Sequence, residues 1–255
     1  MTTEPLFCHE KLDVYNHALA FVSRTDACIQ GSSCEIAAVD HLSRASESIL
    51  ENIVNGNASW SKAVRQRYLG IAYGSALECA GCLDIFREKH IISPELCCAE
   101  KSELCRIVQM LVRLHQSQSS AVRETEAVVP EARQATPLFF DHERLDVYQL
   151  SLAFVSWADH LARDCKVSSR RNSRLDELST SVVLNIAEGN GRFKSFDHRQ
   201  FIDMAQQSAM KSVVIVDIMM VKKEIESERG RSAKDMLSRM TKMLLAMRGY
   251  LTEND

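Results

Sequence analysis

Apolar residues recur along this chain at helical spacing. Leu12, Tyr15, Leu19 and Val22 fall three and four positions apart, one stripe of a helix over about 10–29. Gly31 suits its end, and Ser32 with Glu35 three residues on makes a capping box for a second helix. Leu42, Ala45, Ile49 and Ile53 give that helix its inward face. Gly56 is placed to end it in the left-handed conformation that glycine adopts without steric cost. A third helix is expected over about 62–90, and Ser93, Pro94 and Glu95 read as N-cap and first turn of a fourth that ends near His115. The same pattern gives helices near 143–163, 169–188, 195–228 and 231–251.

The second set repeats the first. Sliding the chain by 133 positions lays "FCHEKLDVYNHALAFVS" (Phe7–Ser23) on "FDHERLDVYQLSLAFVS" (Phe140–Ser156), with twelve of seventeen residues identical. The register then holds. Ser46 and Ser48 meet Ser179 and Ser181, Asn52 meets Asn185, Gly56 meets Gly189, Asp84 meets Asp217 and Leu111 meets Leu244. A repeat of this length is a whole domain rather than a solenoid turn. Long helices with short connections pack as antiparallel neighbours. The expectation is an all-α protein of two tandem antiparallel up-down-up-down four-helix bundles. Copy 1 spans 1–116, a linker spans 117–137 and copy 2 spans 138–255.

Composition fits this reading and narrows the function. Apolar residues make up 45% of the chain, and only four prolines and nine glycines interrupt it. The net charge of −3 excludes a general basic footprint for nucleic acid, so any such site is local. The copies differ: 1–116 holds 11 Lys and Arg against 14 Asp and Glu, whereas 137–255 holds 18 against 17. No apolar run reaches the ~18 residues a membrane span needs, and Met1–Pro5 does not open a signal peptide. A cytoplasmic protein with nine free cysteines is expected.

Several motifs resemble one family. They are Phe7, Leu12, Val14 and Tyr15, "RASESI" (Arg44–Ile49), Asn52-Ile53 and "GSALE" (Gly74–Glu78) in the first copy. The second has Phe140, Leu145, Val147, Tyr148 and "NIAEGNGR" (Asn185–Arg192). Together these resemble the four-helix-bundle family of 23S rRNA intervening-sequence proteins. The accessory protein of diversity-generating retroelements, which works beside a reverse transcriptase, looks like a relative. The resemblance implies ring-like assemblies, five-fold or stacked, and binding of nucleic acid or a polymerase partner. The copies depart from the pattern in complementary ways. Asn55 and Ser59 stand where the second copy has Glu188 and Arg192, while Gln207, Met210 and Lys211 stand where the first has Gly74, Leu77 and Glu78.

Little in the chain points to catalysis. There is no nucleophile elbow, no phosphate-cradling glycine loop and no Glu-x-x-His of a di-iron bundle. Cys79 and Cys82 could supply two zinc ligands, but no second pair completes a site. Cysteine is also a common buried small apolar residue, which favours packing. No cofactor or metal is expected. Ser46, Ser48, Asn52, Ser179, Ser181 and Asn185 read as small polar groups at helix contacts.

Two features carry the functional expectation. Arg163, Lys166, Arg170, Arg171 and Arg174 bracket the turn between the first two helices of copy 2, and Arg229 and Arg231 come from the turn at the same end. Arg192, Lys194 and Arg199 form a smaller group at the opposite end. Cations beside a helix N-terminus oppose its dipole and invite an external anion, such as RNA or DNA phosphate or an acidic protein face. The second feature is "SVVIVDIMMV" (Ser212–Val221), apolar nearly all round. Val213, Val214, Ile215, Val216, Ile218, Met219, Met220 and Val221 are therefore the expected assembly interface. The expected function is a non-enzymatic scaffold or adaptor that self-associates and binds a nucleoprotein partner, a reverse transcriptase or its RNA or DNA, through the basic end of copy 2. The alternative is a purely protein–protein structural module.

Overall fold

A computed structural model describes residues 7–30, 36–117, 138–164, 167–192 and 195–253. Eight long helices occur among them: α1 (Asp13–Gln30), α2 (Ala37–Ala58), α3 (Lys62–Glu88), α4 (Pro94–Ser117), α5 (Asp146–Asp164), α6 (Ser169–Asn190), α7 (Ser195–Val221) and α8 (Ser227–Glu253). A 3-10 turn precedes the first helix of each copy, at Cys8–Lys11 and Asp141–Arg144. There is no strand among the described residues. In each copy consecutive helices are neighbours, and the first also meets the fourth, which closes an up-down-up-down bundle. The expected linker and the Ser32–Glu35 capping box lie almost wholly outside the described residues.

The duplication is visible in the hydrogen bonds. Ser48 Oγ lies 2.9 Å from Ser75 Oγ, and Ser181 Oγ lies 2.9 Å from Ser208 Oγ. Asn52 donates to the Ser48 carbonyl at 2.7 Å, as Asn185 does to that of Ser181. These polar groups tie α2 to α3 and α6 to α7 where the helices cross. Ser93 accepts from the Leu96 amide at 3.2 Å and Pro94 opens α4, as the sequence pattern predicts.

The glycines act differently from the expectation. α2 continues through Gly56 to Ala58, α6 continues through Gly189 to Asn190, and no described glycine has a positive φ. Gly189 serves close approach: a Cβ there would lie 2.8 Å from Phe201 Cβ of α7, whereas one on Gly56 would meet nothing nearer than 3.6 Å. The left-handed residues are His90 (φ 56) and Lys223 (φ 54), again 133 positions apart. Each follows the end of a third helix. There Ile91 N–H donates to the Phe86 carbonyl at 2.8 Å, and Glu224 N–H donates to that of Met219 at 2.9 Å. The turn at Lys223 ends α7 at Val221, short of the expected 228.

α3 is the one described helix long and apolar enough to cross a membrane, and 78% of its apolar window is buried inside the protein. That burial has two sources. α3 packs on α2 and α4 of its own bundle, and also on α5 and α6 of the other. The buried core therefore runs without a break from one bundle into the next.

Gly189→Ala is expected to lower stability by about 1–3 kcal/mol, the usual range for overpacking. Lys223→Gly is expected to raise it by up to ~1 kcal/mol by relieving the left-handed backbone. Urea unfolding midpoints with unchanged slopes would verify both.

Candidate assembly interface

The joint between the bundles is built around a buried ammonium. Lys101, on α4, is 3% exposed. Its Nζ lies 2.9 and 3.0 Å from the two carboxylate oxygens of Asp84 on α3, and 2.9 Å from Glu143 Oε1 in the 3-10 turn of copy 2. Tyr148, fully buried on α5, donates its hydroxyl to Asp84 Oδ2 at 2.8 Å. Arg87 stands 3.3 Å from Asp84, and Glu143 accepts from the Phe139 amide at 3.1 Å. Burial alone would push the Lys101 ammonium down, but Asp84 and Glu143 together outweigh it and hold its pKa above the ordinary lysine value. Burial, and then Asp84, push the Tyr148 phenol well up, so it stays a donor.

His142 completes this cluster without hydrogen bonds. It is fully buried and neither ring nitrogen has a hydrogen-bond partner. Phe140 stacks on it at 5.8 Å and Tyr148 meets it edge-on at 4.7 Å. Burial, and after it the Lys101 ammonium, push the imidazole down to about 3 against the pull of Asp84. Asp84, His142 and Glu143 place one ligand atom each within 4.8 Å, a possible metal set. The Lys101 ammonium already bridges its two carboxylates, so the protein supplies the cation there.

Glycines and a second ionic contact flank the cluster. A Cβ on Gly81 would lie 3.0 Å from Leu184 of α6, and one on Gly74 would lie 3.3 Å from the Arg192 guanidinium. Arg192 pairs with Glu188 and covers the Phe201 ring at 4.7 Å. Burial, and Glu78 across the joint, push the Glu188 carboxyl up against the pull of Arg192. At the other end Asp176 of α6 accepts the Ala37 amide at 2.9 Å, capping α2 of the first bundle, and pairs with the buried Lys89. Arg163 donates to the Lys89 carbonyl at 3.0 Å.

The profile of the 23S rRNA-intervening sequence protein family matches residues 10–113 and again 143–246. The chain belongs to that family. The two matches start 133 residues apart, the offset at which its hydrogen bonds and left-handed turns also repeat. No curated protein and no solved structure matches the chain.

In this member of the intervening sequence family, most of the basic residues already have partners. Arg171 makes a two-pronged contact with Glu224, one arm at 2.7 Å. Arg174 pairs with Glu177 at 2.6 Å, Arg229 with Asp164 at 3.0 Å and Arg163 with Asp159 at 2.8 Å. Arg199 donates to the Leu251 carbonyl. The Arg171–Glu224 contact brings the start of α6 to the turn after α7, so the two basic turns do share one end. Arg170 and Arg231 there are exposed. Lys166 and Lys194 lie outside the described residues.

The apolar stretch of α7 is split rather than wholly covered. Val216 and Met219 are fully buried in their own bundle, and Val213, Ile215 and Met220 are half-buried. Val214 is 56% exposed, Ile218 37% and Val221 83%; Met210, one turn earlier, is 50% exposed. Their counterparts Leu77, Gly81 and Ile85 on α3 are buried in the joint, and Glu88 matches Val221. The ionic cluster was not singled out from sequence, although Asp84, Lys101, Glu10 and Tyr15 all recur as Asp217, Lys234, Glu143 and Tyr148.

Three of the described cysteines behave as packing groups. Cys79, Cys82 and Cys97 are buried thiols. Burial, then Asp84, push the Cys97 thiol up to about 11.

Replacing Lys101 by Met leaves two buried carboxylates without a counter-charge, an expected loss of ~3–5 kcal/mol. Adding Asp84→Asn and Glu143→Gln should recover much of it, and unfolding midpoints compare the two. The histidine sets an acid dependence. Unfolded His142 takes a proton near 6.5 but the folded residue resists until about 3. Its contribution is therefore whole above pH 6.5 and is lost as pH falls toward 3, by up to ~1.4 kcal/mol per unit. Glu143, raised by burial against the pull of Lys101, works the other way. The readout is thus the difference between wild type and His142→Phe, whose stability should vary less between pH 7 and 5.

Proposed function

We propose that this protein is a non-enzymatic helical scaffold that self-associates through the outer face of α7. The observation that carries the reading is the exposed row Met210, Val214, Ile218 and Val221. Single exposed apolar residues are ordinary, but a contiguous row on one helix marks a contact surface. Three of the four matching positions in copy 1, Leu77, Gly81 and Ile85, are buried on the helix that packs against the second bundle. Buried free thiols agree with a reducing, cytoplasmic setting.

A second reading keeps a polyanion at the basic end of copy 2. Its support is Arg170, Lys222, Lys223 and Arg231, all exposed around the Arg171–Glu224 contact. A reverse transcriptase complex or its RNA would engage there. The acidic partners of Arg163, Arg171, Arg174 and Arg229 make this the weaker reading, because an incoming phosphate must compete with carboxylates already in place.

Light scattering distinguishes the readings. Wild type is expected to exceed its single-chain mass of 28.7 kDa. Val214→Asp with Ile218→Asp should return it to that mass at an unchanged melting temperature. A single-chain mass for wild type, or an unchanged mass for the variant, defeats the scaffold reading. Arg170→Glu with Arg231→Glu should leave the mass alone; if it abolishes salt-sensitive retention of RNA, the polyanion reading gains.

A further inference from the structure

The contact between the bundles is one-sided. α3 lies on α5 and α6, but the reciprocal packing of α7 on α1 and α2 is absent among the described residues. A contact of this kind between two copies of one fold is head-to-tail: it uses one face of the first and a different face of the second. Each bundle carries both faces in its sequence. The chain therefore has one joined pair of faces and one open pair.

The open pair is built in detail. On copy 1, Phe7 stacks on His9 at 5.7 Å and Tyr15 meets His9 edge-on at 4.8 Å, the same stack as in copy 2. Glu10 accepts the Phe7 amide at 3.0 Å, as Glu143 accepts that of Phe139. Yet Phe7 is 61% exposed where Phe140 is 8%. On copy 2, Lys234 Nζ lies 2.7 Å from Asp217 Oδ1, the pair that corresponds to Lys101 and Asp84. The side chains of Lys234 and Asp217 are 41% and 48% exposed, against 4% and 2% in the joint.

We propose that the α1–α2 face of copy 1, with its Phe7–His9–Tyr15 stack, docks on the α7–α8 face of copy 2 in a second copy of this chain. It thereby repeats between chains the joint that holds the bundles together within one. The inference rests on the self-association reading and names what covers α7. Lys234 takes the place of Lys101, bridging Asp217 to Glu10 of the second copy, and Tyr15 of that copy donates to Asp217. Some of the sequence differences on the two open faces match each other. Where Gly74 meets Arg192 and Glu188, Gln207 would meet Ser59 and Asn55, so the large and small partners trade sides. Lys211 on the α7 face and Glu51 on the α2 face are both exposed and of opposite charge. Ala58 replaces Gly191, whose added Cβ would lie 3.0 Å from Gly74 Cα, and Val214 replaces Gly81, whose added Cβ would lie 3.0 Å from Leu184, so the second contact sits wider than the first.

The test uses two full-length variants that each spoil one face, Tyr15→Asp and Val214→Asp. Every contact needs one intact face of each kind, so each variant alone should have single-chain mass. Mixed together they should give a two-chain complex and nothing larger. Circular dichroism melts establish that both fold. A milder pair is Glu51→Lys and Lys211→Glu, both at exposed positions. Each should weaken association by up to about fivefold at low salt, the worth of an exposed ion pair, and the two together in one chain should restore it. If Tyr15→Asp assembles like wild type while Val214→Asp does not, α7 is covered by something other than this face. The scaffold reading then stands and this inference falls. A mixture that stays single-chain, or grows past two chains, also overturns it. A single-chain wild type overturns both.

Discussion

The whole arrangement depends on one ammonium group held between carboxylates of two bundles. Removing Lys101 from water is costly, and only Asp84 and Glu143 offset that cost. Asp84 comes from α3 and Glu143 from the other copy. Neither bundle alone can satisfy Lys101, Asp84 and Tyr148 together. The relative placement of the bundles is thus set by charge geometry, whereas apolar burial of Leu77, Leu184 and Ala187 adds area without direction. Asp176, which caps α2 from the opposite bundle, fixes a second point, and the Glu78–Glu188 contact region off that line removes the remaining rotation.

Duplicated pairs in different surroundings separate the effect of chemistry from that of context. Asp84–Lys101 and Asp217–Lys234 join the same two residue types at nearly the same distance, 2.9 and 2.7 Å. The first is buried and directional; the second is half in water, where such a pair contributes little. The histidines behave likewise. Each sits between a phenylalanine and a tyrosine, but only His142 is wholly buried.

Much of the fold was legible because apolar period and the 133-residue echo are both strong signals. Ser93 as N-cap and the Ser48–Asn52 contacts followed from local rules. Gly189 misled because glycine serves two purposes, a left-handed stop and a close helix crossing, and the sequence does not say which. His90 and Lys223 take the left-handed role although neither is the residue that favours it. The candidate site was half legible. Periodicity marked α7 as too apolar for one wet face, but could not divide Val216, which faces its own core, from Val214, which faces out. Several of the arginines' acidic partners were within four residues, Asp159 for Arg163, Glu177 for Arg174 and Glu188 for Arg192, whereas Asp164 lies 65 residues from Arg229. The ionic cluster was missed because lysine and aspartate on long helices ordinarily face solvent.

The tandem joint also bears on counting. Because both of its sides sit on one polypeptide, that joint closes as a unimolecular step, at an effective concentration on the order of millimolar, and holds at any dilution. Whatever number of chains gather, bundles enter in twos. A symmetric ring of identical joints built from whole chains has an even number of bundles, and an odd-numbered ring would require a cut chain or an idle half.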